Sequence, residues 1–243
     1  EYMVRLADEM GILVWEEIPV YWTIDWENAS TYQNAEKQLS EVIRRDRNRA
    51  SVIIWSMSNE TPQTDARNSF LGRLADHARQ ADPTRLISAA LQSNSAGEPG
   101  VRTLDDPFAD KVDVMSFNQY IGWYEGLPPK CREVNWTFSQ DKPVLVSEFG
   151  AGAKVGYHAD SLTRWSEEYQ AWLYKETLSM LERMPQLQGF SPWILMDFRS
   201  PRRPLPVIQD YWNRKGLVSE TGEKKKAFYI LQDHYRSKST KVE

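Results

Sequence analysis

The sequence predicts an α/β fold of the (β/α)8 TIM-barrel type, truncated at its N-terminal side, with about six of the eight strands present. Three observations predict this fold. Short apolar runs alternate with segments of helical period along the chain. The apolar runs are nearly continuous, and acidic or polar side chains follow the ends of several of them. Together these features indicate parallel strands whose carboxyl ends meet at one mouth.

Six apolar runs are the predicted strands, and each is rich in β-branched or aromatic residues. They are residues 12–15, 52–57, 86–90, 112–117, 144–147 and 189–195. A continuous apolar run is typical of a strand that is covered on both faces, as in a parallel sheet. Segments of helical period lie between them, near residues 32–47, 65–80, 166–183 and 225–235.

The polar residues at the strand ends favour a barrel over a doubly wound sheet. The strands end in WEE, WSMSNE, SFNQY, VSEFG and PWILMDF. In a barrel each strand contributes side chains to the same mouth. A dinucleotide-binding sheet would need a glycine-rich turn after its first strand, and GILVWEEIP has none. One of Glu16 and Glu17 is expected to face the mouth as a supporting acid.

The start of the chain predicts a piece of a longer protein. Its first ten residues, EYMVRLADEM, have the period of an amphipathic helix with Met3, Leu6 and Met10 on one face. We therefore expect residues 1–243 to form one partial barrel domain, with the first two barrel strands lying before Glu1.

Composition excludes several classes of protein. A chain of 243 residues with 41% hydrophobic residues forms a sizeable core, and its 30 basic and 34 acidic residues give a net charge of −4 without charge blocks. Nucleic acid is therefore not an expected partner, and no apolar run suits a membrane span or a signal peptide, which leaves the compartment open. Cys131 is a single cysteine and the three histidines lack ligand spacing, so neither a metal nor another cofactor is expected.

Two glutamates are the candidate catalytic residues. Glu60 and Glu148 each follow an apolar strand, and carboxylates at strand ends of one barrel can face each other across a substrate. Cleavage of an acetal needs one protonated carboxyl for the leaving oxygen and one ionised carboxylate for the oxocarbenium-like centre. The pair therefore predicts a glycosidase, with Glu60 as general acid/base and Glu148 as nucleophile.

Four further residues suit the binding of a sugar. Asn59 offers an amide beside Glu60 for the substrate hydroxyl next to the anomeric carbon. Tyr120 has a phenol that could donate to Glu148, and Asn118 lies two positions earlier on the same strand face. Trp193 supplies an aromatic surface for the apolar face of a sugar ring. A network of polar side chains between strands is the alternative role of Asn118 and Tyr120.

A resemblance adds to this interpretation. SNE, DPTR, DVMSFNQYIGWY, KPVLVSEFG, WSEEYQ, GFSPWILMDF and NRKGLVSETGEKKKAFY resemble, in this order, segments of the family 2 glycoside hydrolases, and most closely the β-glucuronidases among them. The resemblance covers nearly the whole chain and implies a (β/α)8 barrel with Glu60 as acid/base and Glu148 as nucleophile. It also implies that β-sandwich domains precede the barrel, and neither these nor a histidine-containing segment after the second strand is present here.

The predicted sugar specificity depends on one short motif. Asn213 and Lys215 resemble the Asn-x-Lys pair with which β-glucuronidases hold the carboxylate of glucuronic acid. An amide and an ammonium can donate charge-assisted hydrogen bonds to such a carboxylate. A neutral galactose would leave a desolvated Lys215 unpaired.

The sequence thus predicts an exo-acting retaining β-glycosidase that hydrolyses terminal β-D-glucuronides without a cofactor, its only predicted small-molecule partner being the carbohydrate. A β-galactosidase of the same family is the alternative specificity. A cellulase or mannanase barrel would act on polymers instead. A further alternative is an inactive carbohydrate-binding or assembly fragment, because a barrel lacking strands has open sheet edges. Those edges predict either a homo-oligomer or completion by a missing N-terminal part.

Overall fold

A computed structural model describes residues 1–95, 98–184 and 186–239 of the chain. The helices of these residues are α1 (Tyr2–Met10), α2 (Ala29–Asp46), α3 (Asp65–Ala81), α4 (Glu167–Leu181) and α5 (Lys226–Ser239). The strands are β1 (Val14–Glu17), β2 (Val52–Asn59), β3 (Leu86–Leu91), β4 (Asn94–Ser95), β5 (Val101–Leu104), β6 (Met115–Asn118), β7 (Asn135–Phe138), β8 (Val144–Glu148), β9 (Leu187–Phe190), β10 (Phe198–Arg199) and β11 (Trp212–Asn213). Short 3-10 helices cover Pro107–Lys111 and Pro128–Arg132.

The chain divides into two compact units. The first comprises Glu1–Asn118 and Trp136–Leu145, and the second comprises Gln119–Asn135 and the chain from Val146 onward. β8 therefore begins in the first unit and ends in the second.

Parallel strands form the centre of the first unit. Its strand order is β1, β2, β3, β6, and each neighbouring pair is parallel. β2 lies between two partners and buries Val52, Ile54, Trp55 and Met57 almost completely. Burial on both faces explains why this strand reads as a continuous apolar run. The predicted alternation of strands and helices is confirmed here.

Capped helices cover this sheet. The side chain of Asn28 accepts hydrogen bonds from the first backbone amides of α2, and Thr64 does the same for α3. Such caps satisfy amides that have no partner inside the helix. The ring of Phe70 in α3 packs edge-on against Tyr32 of α2, with 5.2 Å between centroids. The caps therefore define the residues at which α2 and α3 begin.

The first helix forms as predicted, but its buried face differs from the predicted one. α1 buries Val4 and Ala7, whereas Met3 and Met10 are 72% and 63% exposed. The two methionines therefore contribute little to the core of the first unit. Among the described residues, no helix has the length and apolar character that crossing a membrane requires.

The second unit contains the end of β8, β9 beside it, and the helices α4 and α5. Phe149, directly after β8, packs its ring against Tyr174 of α4 and Phe190 of β9, at centroid distances of 5.2 and 5.7 Å. The side chain of Ser166 caps α4 by accepting from the amide of Tyr169. β10 and β11 pair as an antiparallel ribbon. This packing fixes the segment that follows β8.

All six predicted strands have somewhat different bounds in the structure, and three of them differ most. The first of these, predicted at residues 12–15, is β1 at Val14–Glu17. The run predicted at residues 189–195 is a strand at Leu187–Phe190, and beyond it the amides of Ser191 and Trp193 still donate to the carbonyls of Val146 and Phe149. The run 112–117 becomes a strand only at Met115, because the carboxylate of Asp113 accepts the amide of Ile87. A side chain takes the place of a backbone partner there. β4, β5 and β7 form a small separate sheet that the periodicity does not predict.

Candidate active site

The acid at the end of β2 lies in an uncommon backbone conformation. Glu60 has a φ of 51°, which few residues other than glycine adopt. Its amide donates to the carbonyl of Ala90 on β3, and the amide of Asn59 donates to the carbonyl of Val20. Backbone hydrogen bonds on both sides of β2 therefore hold Glu60 in this left-handed conformation.

Both carboxylate oxygens of Glu60 accept hydrogen bonds. The indole of Trp22 donates to Oε2 at 3.2 Å, and the amide of Asn118 donates to Oε1 at 3.1 Å. The same Asn118 amide nitrogen lies 2.9 Å from Oδ1 of Asn59. The structure thus brings together three of the residues that the sequence singles out, Asn59, Glu60 and Asn118, all in the first unit.

A cavity of about 300 Å³ opens beside Glu60. Its lining residues all belong to the first unit and are Trp22, Glu60, Leu91, Gln92, Ser93 and Asn118. Most of them offer an amide, a hydroxyl, a carboxylate or an indole N–H to a bound molecule. The carboxyl ends of β2, β3 and β6 therefore surround a polar space next to the candidate acid/base.

In the second unit, Glu148 ends β8 and is held by a tyrosine. The phenol of Tyr120 donates to Oε2 of Glu148 at 2.6 Å. The backbone amide of Gln119 donates to the carbonyl oxygen of Glu148 at 2.9 Å. A short hydrogen bond from a phenol stabilises an ionised carboxylate and fixes its direction. This geometry suits the role that the sequence predicts for Tyr120.

Lys215 lies close to the same tyrosine. Its ammonium donates to the phenol oxygen of Tyr124 at 2.6 Å, and it stands 4.9 and 4.7 Å from the ring centres of Tyr120 and Tyr124. The residue is only 5% exposed. Burial lowers the pKa of Lys215, and Arg203 lowers it further, whereas Tyr124 and the charge of Glu148 act in the opposite direction.

Tyr124 carries the complementary shift. Burial alone would raise the pKa of Tyr124, but the ammonium of Lys215 and the guanidinium of Arg203 lower it below its ordinary value. Two cationic side chains thus converge on one phenol. A region of this kind favours an anionic group in a ligand.

A buried ion pair supports the segment that carries Lys215. The ammonium of Lys225 binds both carboxylate oxygens of Asp197 at 2.8 and 2.9 Å and also donates to the carbonyl of Arg214. Asp197 accepts the amide of Gly216 at 2.8 Å. These bonds secure the backbone on both sides of Lys215, so Asp197 has a structural role.

The two remaining predicted residues flank this segment. Asn213 is buried, and its Oδ1 accepts the backbone amide of Lys215 at 3.1 Å. Trp193 is half-buried and packs edge-on against Phe198, with 6.0 Å between centroids. The peptide bond after Trp193 is cis, and the amide of Ile194 donates to the carbonyl of Lys215 at 3.2 Å. A backbone hydrogen bond therefore joins the residue after Trp193 to Lys215.

Trp22, which donates to Glu60, and Tyr124, which accepts from Lys215, were not predicted from the sequence as site residues. Trp22 follows β1 in the string IPVYW, and Tyr124 ends the string FNQYIGWY. In a chain with ten Trp and eleven Tyr, one aromatic residue after a strand is a weak signal. Within residues 1–95, 98–184 and 186–239, no group of three or more His, Cys, Asp or Glu is placed to hold a metal ion.

A fold of parallel strands and helices with acidic and amide side chains at its strand ends is typical of barrel-type enzyme domains. The family model described as "Glycosyl hydrolases family 2, TIM barrel domain" matches residues 1–239. The chain belongs to this family, and the predicted fold class, a (β/α)8 barrel truncated to about six strands, is confirmed.

Relatives with curated names point to one group within the family. A β-glucuronidase of Chlorocebus aethiops is 29% identical over 248 residues, which is 97% of this chain and 37% of the relative. The β-glucuronidase of Homo sapiens is 28% identical over 249 residues, covering 97% of this chain and 36% of the relative. The chain thus spans somewhat more than a third of the length of these relatives.

Solved structures agree on the fold. A β-galacturonidase from Eisenbergiella tayi, bound to galacturonate, has a TM-score of 0.81 and 28% identity, covering 96% of this chain and 42% of the other. A β-D-glucuronidase from Dictyoglomus thermophilum has a TM-score of 0.78 and 27% identity, covering 97% of this chain and 42% of the other. Both proteins carry names of enzymes that act on uronic acid glycosides.

Proposed function

We propose that the protein is an exo-acting retaining β-glycosidase that hydrolyses terminal β-D-glucuronides. In this reaction Glu148 attacks the anomeric carbon while Glu60 gives its proton to the leaving oxygen, which forms a covalent glycosyl intermediate. Glu60 then removes a proton from water as the water displaces Glu148. The balance of atoms is that of hydrolysis, and no cofactor is required.

The other predicted residues bind or orient the sugar in this proposal. Asn59 binds the hydroxyl next to the anomeric carbon. Asn118 donates hydrogen bonds to both Asn59 and Glu60 and so holds these two side chains in fixed relative positions. Tyr120 keeps the carboxylate of Glu148 ionised and holds it in a fixed direction. Trp193 lies against the apolar face of the ring. The amide of Asn213 and the ammonium of Lys215 hold the sugar carboxylate.

The choice of a uronic acid depends on a single observation, the environment of Lys215. A buried ammonium between two tyrosine rings, with its pKa lowered by burial, gains stability when an anion binds beside it. The carboxylate of a uronic acid is such an anion. A neutral galactoside, the alternative from the sequence, offers only hydroxyl groups to the same ammonium.

A second candidate substrate is a β-D-galacturonide. It carries the same carboxylate on the same ring carbon and differs from a glucuronide in one hydroxyl configuration. The likeness to a structure named as a β-galacturonidase, at 28% identity, supports this candidate. Both substrates use the Lys215 site in the same way, so a direct comparison of the two sugars has to separate them.

The test compares four nitrophenyl glycosides, the β-D-glucuronide, β-D-galacturonide, β-D-galactoside and β-D-glucoside, with the protein expressed as the full product of its gene. The glucuronide should have the highest kcat/KM. Lys215→Met should lower kcat/KM for the glucuronide about 10- to 100-fold, which corresponds to one charge-assisted hydrogen bond. Lys238→Met is the matched control, because Lys238 lies on α5 in an exposed pair with Glu182.

The outcomes separate the alternatives. Full glucuronide activity in Lys215→Met would remove the basis for a uronic acid substrate. Preference for the galactoside in the wild-type protein would favour the neutral-sugar alternative. Equal trace activity in the wild-type protein and in Glu148→Gln would favour the inactive fragment, and activity on polymers alone would favour the cellulase-like alternative.

A further inference from the structure

The backbone directly after Glu60 is anchored by a buried arginine. Glu60 follows β2, and a short loop that begins at Thr61 leads from it to α3, which carries Arg67. Nε of Arg67 donates to the hydroxyl oxygen of Thr61 at 2.8 Å. Thr61 and Arg67 are both 0% exposed. The residue next to the candidate acid/base is therefore held by a side chain from the interior of the first unit.

A buried carboxylate fixes the direction of that arginine. Nη1 and Nη2 of Arg67 donate to the two carboxylate oxygens of Asp106 at 2.7 and 2.9 Å, and Nη1 also donates to Asn68 at 2.8 Å. The side chain of Asp106 is completely buried, and its Oδ1 also accepts the amide of Phe108. A planar guanidinium that is bound at two points on one carboxylate cannot rotate without breaking both bonds. The Nε–H of Arg67 therefore points at Thr61 in a fixed direction.

The energetics of this ion pair favour a geometric role. Taking both charges out of water costs free energy that their attraction does little more than offset, so the pair adds little net stability over apolar side chains of the same volume. The pair does impose one arrangement of donors and acceptors, because a buried polar group that loses its partner is strongly destabilising. What Arg67 and Asp106 supply is thus a fixed position for the hydroxyl of Thr61.

Glu60 needs such an anchor because of its backbone conformation. Its φ of 51° is one that a residue with a side chain keeps only where the surrounding structure holds it. The amides of Asn59 and Glu60 hold the backbone up to this point through their bonds to Val20 and Ala90. The bond between Arg67 and the residue after Glu60 holds the other side. The direction of the Glu60 side chain depends on both.

We propose that Arg67 is a positioning residue for Glu60, which it keeps directed at the leaving oxygen through the hydroxyl of Thr61. Arg67 is fully buried, so it acts through Thr61 and not on the substrate itself. The inference rests on the proposed function, since it takes Glu60 as the acid that protonates the leaving oxygen. Its consequence is specific: weakening this anchor impairs proton donation and leaves the attack by Glu148 intact.

The test compares two substrates that differ in how much acid their leaving groups need. 2,4-Dinitrophenyl β-D-glucuronide releases a stable anion that needs no proton, whereas the phenoxide released from phenyl β-D-glucuronide depends on one. The measured quantity is the ratio of kcat/KM for the phenyl substrate to kcat/KM for the dinitrophenyl substrate. Because kcat/KM covers the reaction up to the glycosyl intermediate, this ratio reports the step in which Glu60 acts as an acid. The protein is expressed as the full product of its gene.

Thr61→Val removes the hydroxyl that accepts from Arg67 and keeps the size and branching of the side chain. The ratio should fall about 10- to 30-fold, because general acid catalysis contributes about 10²–10⁴-fold and a displaced acid loses part of it. Thr61→Ser keeps the hydroxyl and should keep the wild-type ratio. Arg67→Lys keeps the charge but cannot bind Asp106 at two points and Thr61 at the same time, so it should lower the ratio as well.

A matched control and the dinitrophenyl activity separate this role from a loss of stability. Thr177→Val replaces another fully buried threonine, on α4, and should leave the ratio unchanged. Activity on the dinitrophenyl substrate shows that a variant is folded. A wild-type ratio in Thr61→Val overturns the inference, and so does an equal loss on both substrates. If Thr61→Val does not fold, the ratio of Arg67→Lys decides in the same way.

Failure of the inference and failure of the proposed function give different results. An unchanged ratio in a wild-type protein and variants that all cleave both glucuronides leaves the proposed function standing. A wild-type protein that cleaves neither glucuronide contradicts the proposed function and the inference with it.

Discussion

At the scale of single residues, the bond between Tyr120 and Glu148 makes the sharpest prediction. The phenol donates to the carboxylate at 2.6 Å, and a hydrogen bond to a charged group contributes about 1.5–3 kcal/mol. Tyr120→Phe removes this bond and keeps the ring. We expect kcat/KM for the glucuronide to fall about 10- to 100-fold, and the acidic limb of its pH profile to move to higher pH, because the ionised carboxylate of Glu148, the proposed nucleophile, loses a partner.

A matched control separates this role from simple packing. Tyr229→Phe removes a phenol that is half-exposed on α5, and it should leave both kcat/KM and the pH profile unchanged. If Tyr120→Phe lowered thermal stability but left the pH profile in place, the phenol would have a structural role only, and the proposed positioning of Glu148 would be wrong.

At the scale of elements, one contact between β1 and α2 depends on pH. Glu16 of β1 lies beside Arg45 and the fully buried Asp46 of α2. Burial raises the pKa of Glu16 from its ordinary value of 4.5 to about 7, the charge of Asp46 adds to the rise, and Arg45 opposes it. Glu17, one position on, bonds instead to Ser56 of β2. The side chains of Glu16 and Glu17, which are adjacent in β1, therefore lie on opposite faces of the strand.

The shift of Glu16 predicts how stability changes with pH. Between about pH 4.5 and pH 7 the folded protein holds a proton on Glu16 that the unfolded chain has lost. The free energy of unfolding therefore falls as the pH rises through this window. Glu16→Gln removes the titration, so its stability relative to the wild-type protein should increase from pH 5 to pH 7.5, by about 1–2 kcal/mol.

Urea unfolding at several pH values measures this difference. Glu41→Gln is the control, because Glu41 lies on the exposed face of the same helix in a solvated pair with Lys37. Its stability difference from the wild-type protein should stay flat across the same window. A flat difference for Glu16→Gln as well would mean that the carboxyl of Glu16 is ionised in the folded protein throughout.

At the scale of the whole molecule, the strand pattern was predictable and the irregular segments were not. β2 occupies nearly the predicted residues because burial on both faces makes a strand continuously apolar, and β8 also lies close to its predicted bounds. The run after α4 was too long by five residues, because the apolar sequence continues past Phe190, where the regular strand ends. β4 and β5 were missed, since strands of two and four residues carry little periodicity.

The candidate site was also only partly predictable from the sequence. Glu60 and Asn118 were recognisable because each lies at the carboxyl end of a strand, and strand ends meet at one edge of a sheet. Trp22 and Tyr124 were not recognisable, because their roles depend on bonds to Glu60 and Lys215 that join distant parts of the sequence. The sequence therefore predicts residues at strand ends better than the groups that surround and tune them.

The last prediction concerns the reaction of the molecule as a whole. Retention requires two carboxyl groups about 5–5.5 Å apart, whereas inversion requires a wider gap that admits water. If Glu148 is the nucleophile, the first product from a β-glucuronide is β-glucuronic acid, which NMR of the fresh reaction mixture detects before the anomers equilibrate.

Glu60→Ala with azide and dinitrophenyl β-glucuronide should give a β-glycosyl azide, because azide attacks the intermediate without needing a base. Glu148→Ala should give the α-azide by direct displacement, and Glu133→Gln, at an exposed position, should behave as the wild-type protein does. An α-configured first product from the wild-type protein would contradict the assignment of Glu148 as nucleophile, since only a single displacement inverts the anomeric carbon.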